Sequence, residues 1–353
     1  ARDPRIAADR RARISQTPFR GFAAHAAPRR DGTRAAPTSR MKERLGRLVA
    51  AIAVVAIAGG CGSSASEDPA AQTDEAVTTA YAGKLEQVVC DVKRPLAQLK
   101  DHDADPVITE ANHEAVLEGF AKLGCNAVRV GIDPRPSPST FAAIYPQPYG
   151  HFLDAARARG FRVYANPLFR PGEACGSGRF CRADNAAYAK WIVEYVKKFQ
   201  PHFVGPFNEP SPEHYTREDL VDIATRVRAS LNADWPTLVG PDTMTTEDAL
   251  GRLAGGKVAS AVNVIGSHDV YDDAATAARW RSLAAAAPGK ALWASECPRK
   301  WSDTSGAGEI GIKAAVEGGV KGVVLYMAFP RYVNDAGKLD DDGRTIAKNI
   351  VAN

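Results

Sequence analysis

Two glutamates stand directly after apolar segments that have the length and composition of buried strands. Glu209 follows Phe203-Val-Gly-Pro-Phe207 and Asn208, and Glu296 follows Ala291-Leu-Trp-Ala-Ser295. A carboxylate can attack an electrophilic carbon, and a carboxylic acid can protonate a leaving oxygen. If the two carboxyl groups share one surface, they predict a site for combined nucleophilic and acid–base chemistry. The alternative is that both glutamates are merely solvent-exposed residues at the ends of strands.

The segments that must position these glutamates alternate in character from about residue 85 onward. Short β-branched runs alternate with helical stretches, which is typical of a parallel sheet covered by helices. In the helical stretch 185–199, Tyr188, Trp191 and Tyr195 recur at helical spacing. The predicted strands are Gln87–Asp91, Asn126–Ile132, Arg162–Asn166, Phe203–Phe207, Thr237–Val239, Val262–Ser267, Ala291–Ser295 and Gly322–Met327. The predicted helices are His113–Leu123, Gly150–Arg159, Asn185–Phe199, Arg217–Leu231, Glu247–Leu253, Ala274–Ala286, Ile310–Glu317 and Thr345–Val351.

Eight such units in about 270 residues predict a single (β/α)8 barrel over 81–353. A doubly wound sheet would usually carry a glycine-rich phosphate loop after its first strand, and the sequence has none there. Barrel enzymes carry their reactive groups at the carboxyl ends of the strands. Glu209 and Glu296 end the fourth and seventh predicted strands, so we expect them to face one mouth from opposite walls.

This arrangement resembles clan A of the retaining glycoside hydrolases, in which Asn-Glu-Pro ends strand four and a second Glu ends strand seven. The resemblance covers about residues 85–353. Ala165-Asn-Pro-Leu-Phe169, Ala189-Lys-Trp-Ile192 and Phe207-Asn-Glu-Pro210 are most similar to family 30, and families 5 and 39 remain compatible. The resemblance implies that Glu209 is the acid/base, that Glu296 is the nucleophile and that Asn208 contacts the sugar 2-hydroxyl. It implies no cofactor and no metal.

The retaining mechanism explains why two carboxyl groups are needed. One attacks the anomeric carbon while the other protonates the leaving oxygen, and they stand about 5–5.5 Å apart so that no water fits between nucleophile and sugar. The neighbouring carboxylate favours the protonated form of the acid by like-charge repulsion. The expected reaction is therefore hydrolysis of a β-linked glycan by double displacement, with the sugar and linkage left open.

Supporting residues follow from the same resemblance. Arg129 in the second strand would orient Glu296, although an arginine that extends to the surface is the alternative. His268 ends strand six, either as a substrate contact or as a structural histidine. Tyr271 follows three positions later, whereas the families commonly space this pair by two. Tyr326 on strand eight stands where the clan often has a sugar-stacking tryptophan, and core packing is its alternative.

The segments after the strands shape the expected cleft. Trp301, in the segment after Glu296, is the tryptophan that best fits a sugar subsite. A long segment with five prolines, 134–149, follows strand two and lies on the catalytic side. Family 30 members usually carry an added β-sandwich, for which this chain has no room. The identity of the sugar is therefore not predicted.

The first 80 residues are interpreted as processing and tether sequence. Residues 1–40 are rich in Arg and Ala without hydrophobic periodicity, and are expected to be absent from the natural product. Met41–Arg47 is basic and Leu48–Ala58 is an apolar run too short to span a membrane, so 41–60 resembles a lipoprotein signal peptide. Ala-Gly-Gly before Cys61 resembles a lipobox, and 61–80 is a polar tether. A buried apolar helix followed by a chance cysteine is the alternative.

These features predict a bacterial cell-surface protein that Cys61 anchors by its lipid, outside the cytoplasmic membrane. Residues 1–60 carry a net charge of +9 and the whole chain +4, which leaves −5 for 61–353. An acidic body gives no electrostatic reason to bind nucleic acid. The expected partner is an oligo- or polysaccharide, the membrane is contacted only through the lipid, and the protein is expected to be a monomer.

Five further cysteines remain in the exported portion. Cys175 and Cys181 bracket a short Gly-Ser-Gly-containing segment and predict a disulfide. Cys90, Cys125 and Cys297 cannot all pair with one another; buried free thiols are the simplest interpretation, and the sequence leaves open whether two of them pair. No CxxC motif and no His/Cys cluster in the sequence indicates a metal site.

Two other function classes share some of these sequence features. A sugar-binding lipoprotein with the same barrel would be anchored equally well, but it would not need glutamates at two opposed strand ends. A metal-dependent barrel hydrolase would need His and Asp at strand ends, and the six histidines after the leader form no ligand cluster in the sequence. Hydrolysis of chromogenic β-glycosides by the 81–353 fragment discriminates the glycosidase from both.

Overall fold

The computed structural model describes residues 84–92, 107–132, 147–167, 184–212, 215–231, 235–269, 276–297 and 307–351. Eight parallel strands form a closed barrel in chain order, and β8 pairs with β1 to complete the ring. The strands are β1 (Gln87–Asp91), β2 (Ala127–Ile132), β3 (Arg162–Pro167), β4 (Phe203–Val204), β5 (Thr237–Thr243), β6 (Val264–His268), β7 (Ala291–Cys297) and β8 (Gly322–Leu325). The predicted (β/α)8 barrel is confirmed.

Helices connect the strands around the outside. They are α1 (His113–Lys122), α2 (Gln147–Ala158), α3 (Asn185–Phe199), α4 (Arg217–Ala229), α5 (Thr246–Leu253), α6 (Lys257–Ala261), α7 (Ala277–Ala286), α8 (Ala307–Glu317), α9 (Ala328–Arg331) and α10 (Asp341–Val351). The predicted boundaries agree with the observed ones to within four residues, and the largest differences are at the end of β5 and the start of α10. No helix among the described residues is both long and apolar enough to span a bilayer.

Three strand ends differ from the predictions in ways that matter for the site. The strand β4 ends at Val204, because Gly205 and Pro206 follow it and proline cannot donate to the ladder. The strand β5 instead continues through Gly240 and Pro241 to Thr243, with a register shift at its end. The strand β8 ends at Leu325, two residues before the predicted end.

The inside of the barrel is filled by one apolar residue from each strand. Tyr164, Phe203 and Trp293 are the large members, and the Trp293 ring centroid lies 5.6 Å from that of Tyr164 and 4.8 Å from that of Phe203. The others are Val89, Ala127, Val239, Val264 and Val324. This packed layer closes the barrel below the mouth, so the polar strand ends above it have a rigid floor.

The helices pack their apolar stripes against the outer surface of the barrel. In α3 the predicted apolar face, which includes Tyr188 and Trp191, is buried. Asp184 caps this helix by accepting a hydrogen bond from the Ala187 N–H at 2.8 Å, and Thr216 and Asp219 form a reciprocal capping box at α4. Local sequence therefore determines where these two helices begin.

The structure pairs two of the three cysteines whose pairing the sequence left open. Cys90 and Cys125 form a disulfide with an S–S distance of 2.05 Å and a Cα–Cα distance of 5.8 Å. Parallel pairing of β1 with β2 brings the turn before β2 against β1, since the Asn126 N–H donates to the Val88 carbonyl. That proximity was not visible in the cysteine spacing. Cys297 is buried, and its Sγ donates to Asp269 Oδ2 at 3.5 Å.

Candidate active site

Four polar side chains converge at the mouth of the barrel from four different strands. Arg129 is on β2, Glu209 follows β4, His268 ends β6 and Glu296 is on β7. Arg129, His268 and Glu296 are buried, and the Glu209 side chain is 10% exposed. Bulges between β6 and β7 and between β7 and β8 accompany the point where Glu296 leaves the regular ladder. These four residues were singled out in the sequence, and the structure brings them together.

Glu296 is held by two cationic partners. Arg129 donates from Nη1 to Glu296 Oε1 at 2.6 Å. His268 Nδ1 lies 3.4 Å from the other oxygen, Glu296 Oε2. Charge-assisted contacts on both oxygens stabilise the ionised carboxylate, because a buried charge without partners would be strongly unfavourable. Glu296 is therefore oriented by contacts on both of its oxygens.

Arg129 is itself oriented by its neighbours. Its Nε donates to Asn166 Oδ1 at 2.8 Å, and its Nη2 donates to Asn208 Oδ1 at 3.3 Å. Asp91 Oδ2 lies 3.7 Å from Nη1. Burial lowers the pKa of the guanidinium, but the charges of Glu296 and Asp91 outweigh burial and raise it. Arg129 is thus an interior ion-pairing residue, and the interpretation as a surface arginine is wrong.

Glu209 occupies an unusual backbone conformation. Its φ of 47° lies in the left-handed region, which costs a non-glycine residue about 1–2 kcal/mol. Its N–H donates to the Asp242 carbonyl at 2.8 Å, and Arg252 on α5 donates to the Pro210 carbonyl at 2.8 Å. Its side chain contacts His268 Nδ1 through Oε1 at 3.0 Å. Contacts on both sides of Glu209 therefore hold the strained turn that directs its carboxyl group into the mouth.

His268 contacts both glutamates with the same ring nitrogen. Burial alone would lower the pKa of the imidazole, but Glu296, Asp242 and Glu209 raise it to about 10. The ring is therefore a charged imidazolium at neutral pH, and Nδ1–H is shared between the two carboxyl groups. A fully buried imidazolium in this position bridges the two candidate catalytic glutamates and lies within the site.

The glutamates are close to each other. One ligand atom from each of Glu209, His268 and Glu296 lies within 4.8 Å of the other two, and among the described residues these three form the one such group of His, Cys, Asp and Glu. The spacing would suit a cation. However, the guanidinium of Arg129 already holds a Glu296 oxygen at 2.6 Å, and its positive charge opposes a second cation there.

Three further polar residues at the mouth were missed in the sequence analysis. Asp91 accepts a hydrogen bond from the Met327 N–H at 3.1 Å, Asn166 orients Arg129, and Asp242 contacts His268 and Asn166. Each is buried and comes from the carboxyl-terminal half of a strand. Asp91 and Asn166 end predicted strands, so a search for every polar residue at a strand end, and not for glutamates alone, would have found them.

The remaining predicted residues have different outcomes. Asn208 is buried beside Arg129, and Tyr326 is largely buried directly after β8, where its N–H donates to the Cys297 carbonyl at 2.8 Å. Tyr271 and Trp301 lie outside the described residues. The predicted lipidation site Cys61 and the predicted disulfide partners Cys175 and Cys181 also lie outside them.

The barrel is similar to known structures, whereas the sequence has no match among characterised families. No protein-family model and no curated protein matches the sequence. A crystal structure of a glycoside hydrolase matches with a TM-score of 0.50 and 14% identity, over 74% of this chain and 98% of that chain. Its likeness shows a shared barrel fold.

Two other matching structures have names that state a substrate class. One is a Bacteroides ovatus family 5 xyloglucanase in complex with a XXXG heptasaccharide, with a TM-score of 0.49 and 12% identity, over 75% of this chain and 74% of that chain. The other is a family 30 subfamily 8 xylanase from Clostridium acetobutylicum, with a TM-score of 0.47 and 14% identity, over 74% of this chain and 70% of that chain. Both are glycoside hydrolases.

Proposed function

We propose that this protein is a retaining glycoside hydrolase that cleaves a β-linked glycan with Glu209 as acid/base and Glu296 as nucleophile. The observation that carries the proposal is the pairing of these two carboxyl groups, which have oxygens within 4.8 Å of each other at one barrel mouth. That spacing supports the retaining mechanism, because the two carboxyl groups stand about 5–5.5 Å apart in retaining enzymes and about 6.5–9.5 Å apart in inverting enzymes.

The different surroundings of the two glutamates support the division of roles. Glu296 is buried and meets cations on both of its oxygens, at 2.6 and 3.4 Å, which favours an ionised nucleophile. Glu209 is partly exposed, and its Oε1 lies 3.0 Å from His268 Nδ1. A group that exchanges protons with a leaving oxygen and then with water needs such access, so Glu209 fits the acid/base role.

The proposed reaction proceeds in two displacements. Glu296 attacks the anomeric carbon as Glu209 protonates the departing glycosidic oxygen, which gives a glycosyl ester on Glu296 and a neutral leaving alcohol. Water then attacks the same carbon while Glu209 accepts its proton, and the ester bond to Glu296 breaks. Asn208 is proposed to contact the sugar 2-hydroxyl, with Tyr326, Tyr271 and Trp301 as further sugar contacts.

The experiment measures hydrolysis of aryl β-glycosides and soluble β-glucans, and follows the anomeric configuration of the first product by NMR. Glu296→Gln should remove nearly all turnover on every substrate. Glu209→Ala should slow substrates with poor leaving groups by about 10²–10⁴-fold and spare activated aryl glycosides. Azide should then accelerate Glu209→Ala and give a β-glycosyl azide, because it replaces water without needing a base.

The matched control is Glu247→Gln, which makes the same change on an exposed glutamate of α5 and should leave turnover unaltered. An inverted first product would overturn the retaining mechanism. Wild-type protein that binds glycans but hydrolyses none of them would overturn the enzyme assignment in favour of a sugar-binding barrel.

We also propose that the protein is exported and anchored through a lipid on Cys61. The buried Cys90–Cys125 disulfide supports an oxidising compartment, since structural disulfides are rare in the cytosol. Two or more acyl chains would hold the protein stably at a membrane, because each buried CH₂ contributes about 0.8 kcal/mol. Cys61→Ser should move the protein to the soluble fraction or leave it unprocessed. Wild-type protein found soluble with an unprocessed leader would contradict the anchor.

A further inference from the structure

Asp242, near the end of β5, is a buried carboxylate at the centre of the site's polar contacts. Its Oδ2 accepts hydrogen bonds from Tyr164 Oη at 3.1 Å and from Asn166 Nδ2 at 2.9 Å. Its Oδ1 faces His268 Nε2 at 3.8 Å, which is an ion-pair distance longer than a hydrogen bond. Asp242 is fully buried, so its charge depends on these partners.

The neighbouring strand leaves room for this carboxylate. Gly266 on β6 lies against Asp242, and a Cβ at Gly266 would stand 2.9 Å from Asp242 Oδ1 and 3.1 Å from Ser295 Oγ. Both distances are shorter than ordinary van der Waals contacts. A side chain at Gly266 would therefore force Asp242 or Val239, whose Cγ1 also lies 2.9 Å from that Cβ, to shift, which indicates that β6 packs closely against Asp242.

The backbone of Asp242 is linked to Glu209 as well. Asp242 has a φ of 58° and Glu209 a φ of 47°, so both residues adopt left-handed conformations that non-glycine residues rarely adopt. The Glu209 N–H donates to the Asp242 carbonyl at 2.8 Å. Residues in such conformations persist where their surroundings over-determine them, as at active sites. Asp242 thus contacts Glu209 through its backbone and His268 through its side chain.

We propose that Asp242 is a positioning residue that keeps His268 charged and aims its Nδ1–H at both catalytic glutamates. The inference rests on the proposed glycosidase function. Asp242 touches no substrate atom in this role and acts only through His268 and the Glu209 backbone. The result is a chain of carboxylate, imidazolium and carboxylate that runs from β5 through β6 to Glu209.

Among the described residues, the carboxylates that form ion pairs with His268 are consistent with this role. Asp242 faces its Nε2 from β5, while Glu209 after β4 and Glu296 on β7 face its Nδ1 at 3.0 and 3.4 Å. Arg129 is the other cation of the site and its contacts are with Glu296 and Asp91. Burial raises the pKa of Asp242, but the nearby positive charges of His268 and Arg129 outweigh burial and lower it overall. Asp242 and His268 therefore stabilise each other's charged forms.

A charged His268 serves a reaction in which negative charge moves between two groups. Before the first displacement Glu296 is ionised and Glu209 carries a proton. After it, Glu296 is a neutral ester and Glu209 is ionised, because its proton has left with the alcohol. The second displacement returns the charge to Glu296 as water transfers a proton to Glu209. Since His268 Nδ1 contacts both side chains, one imidazolium can stabilise the negative charge at either residue.

Asp242→Asn tests this role because it keeps the shape and removes the charge. The new amide oxygen can still accept from Tyr164 and Asn166, while the amide N–H₂ would face His268 Nε2 and favour the neutral ring. We expect kcat to fall by about ten- to a hundredfold at neutral pH with KM nearly unchanged. The alkaline limb of the pH profile should move to lower pH, and part of the lost activity should return at acidic pH, where His268 is protonated again.

The second measurement is ¹⁵N NMR of histidine-labelled protein, with the His268 signal assigned by its loss in His268→Asn. Both ring nitrogens of His268 should be protonated in the wild type at pH 8, and the ring should be neutral in Asp242→Asn at the same pH. Asp222→Asn, which removes a carboxylate paired with Arg226 on α4, is the matched control and should alter neither the NMR signal nor the pH profile.

The outcomes separate the two proposals. A neutral His268 in the wild type at pH 8 overturns the role of Asp242 even if no variant folds. An unshifted alkaline limb in Asp242→Asn also overturns it. A third outcome would separate them further. If the wild type hydrolyses no glycoside, the proposed function fails. If His268 is nevertheless doubly protonated in the wild type and neutral in Asp242→Asn, the coupling of the two charges stands.

Discussion

Arg129 donates from Nη1 to Glu296 Oε1 at 2.6 Å while its Nε donates to Asn166 Oδ1 at 2.8 Å. The guanidinium is planar, so fixing two of its nitrogens fixes the direction in which the third group, Nη2, meets Asn208. One residue on β2 therefore orients side chains from β3, from the segment after β4 and from β7. A lysine would supply the charge without this geometry.

Arg129→Lys is predicted to reduce kcat/KM on aryl glycosides by about tenfold or more, because an ammonium cannot donate to Glu296, Asn166 and Asn208 in one plane. Arg129→Met removes the charge and should lower the free energy of unfolding by about 3–5 kcal/mol, since Glu296 and Asp91 would lose a buried partner. Kinetics and urea denaturation measure the two effects. Wild-type kinetics in Arg129→Lys would show that only the charge matters.

Gly205→Ala is predicted to impair catalysis indirectly, by displacing residues that contact the catalytic site. A Cβ at Gly205 would stand 2.6 Å from Tyr164 Oη and 3.2 Å from Asn166 Cβ. Since Tyr164 donates to Asp242, the displacement should lower kcat as well as the free energy of unfolding, by about 1–3 kcal/mol.

Gly251→Ala is the matched control for this substitution. Gly251 lies within α5, and a Cβ there meets nothing within 4 Å. Alanine should therefore stabilise the protein by about 0.5–1 kcal/mol through helix propensity and leave kcat unaltered. Urea denaturation and steady-state kinetics of both variants check the pair. Equal stability losses in Gly205→Ala and Gly251→Ala would contradict the packing argument.

The sequence was sufficient to predict the barrel because its local signals agree with one another. Apolar residues in the helix 185–199 have helical spacing, and threonines and aspartates stand where α3, α4 and α5 begin. The carboxyl ends of eight parallel strands must meet at one rim, so Glu209, His268 and Glu296 were expected to lie together. Their exact partners depend on register and bulges, which local patterns do not encode.

Asp242 shows why part of the site was missed. Gly240 and Pro241 normally interrupt a strand, so the fifth strand was predicted to end at Val239 and Asp242 fell beyond it. In the structure β5 pairs through both residues, and its irregular end turns Asp242 toward His268. The Cys90–Cys125 disulfide was missed for a related reason, since it depends on the contact between β1 and the turn before β2.

The Cys90–Cys125 disulfide is predicted to stabilise the barrel mainly through the unfolded chain. Its cysteines are 35 residues apart, and closing a loop of that length contributes about 4 kcal/mol by loop-closure entropy. The double variant Cys90→Ala/Cys125→Ala should lower the free energy of unfolding by about that amount, while KM of the folded protein stays unchanged. Urea denaturation measures the loss. A variant as stable as wild type would show that the bond constrains the unfolded chain little.

The same bond gives a test of the redox compartment. Mass mapping of natively produced protein without reductant should find Cys90 joined to Cys125 and should find Cys297 as a thiol. The same mass mapping tests whether the predicted disulfide between Cys175 and Cys181 forms. Alkylation of Cys90 and Cys125 in native protein would contradict export to an oxidising compartment.

The imidazole of His268 is predicted to make stability depend on pH in a defined direction. Its pKa is raised to about 10 in the folded protein, whereas an unfolded histidine titrates near 6.5. A raised pKa means that the folded state binds the proton more tightly. The resulting stabilisation is complete below about pH 6.5 and is lost as the pH rises through the folded value. Burial is outweighed here by Glu296, Asp242 and Glu209.

Urea denaturation of wild type and His268→Asn, from pH 6 to pH 10, isolates this contribution because titrations common to both proteins cancel in the difference. The wild-type advantage should be largest at pH 6 and should shrink steadily toward pH 10. His151→Asn removes an imidazole that is 50% exposed and paired with Glu110 on the surface, so its effect on the free energy of unfolding should be small at every pH. If the wild-type advantage over His268→Asn is constant from pH 6 to pH 10, His268 is not an imidazolium in the folded protein, because only a proton bound more tightly in the folded state produces the slope.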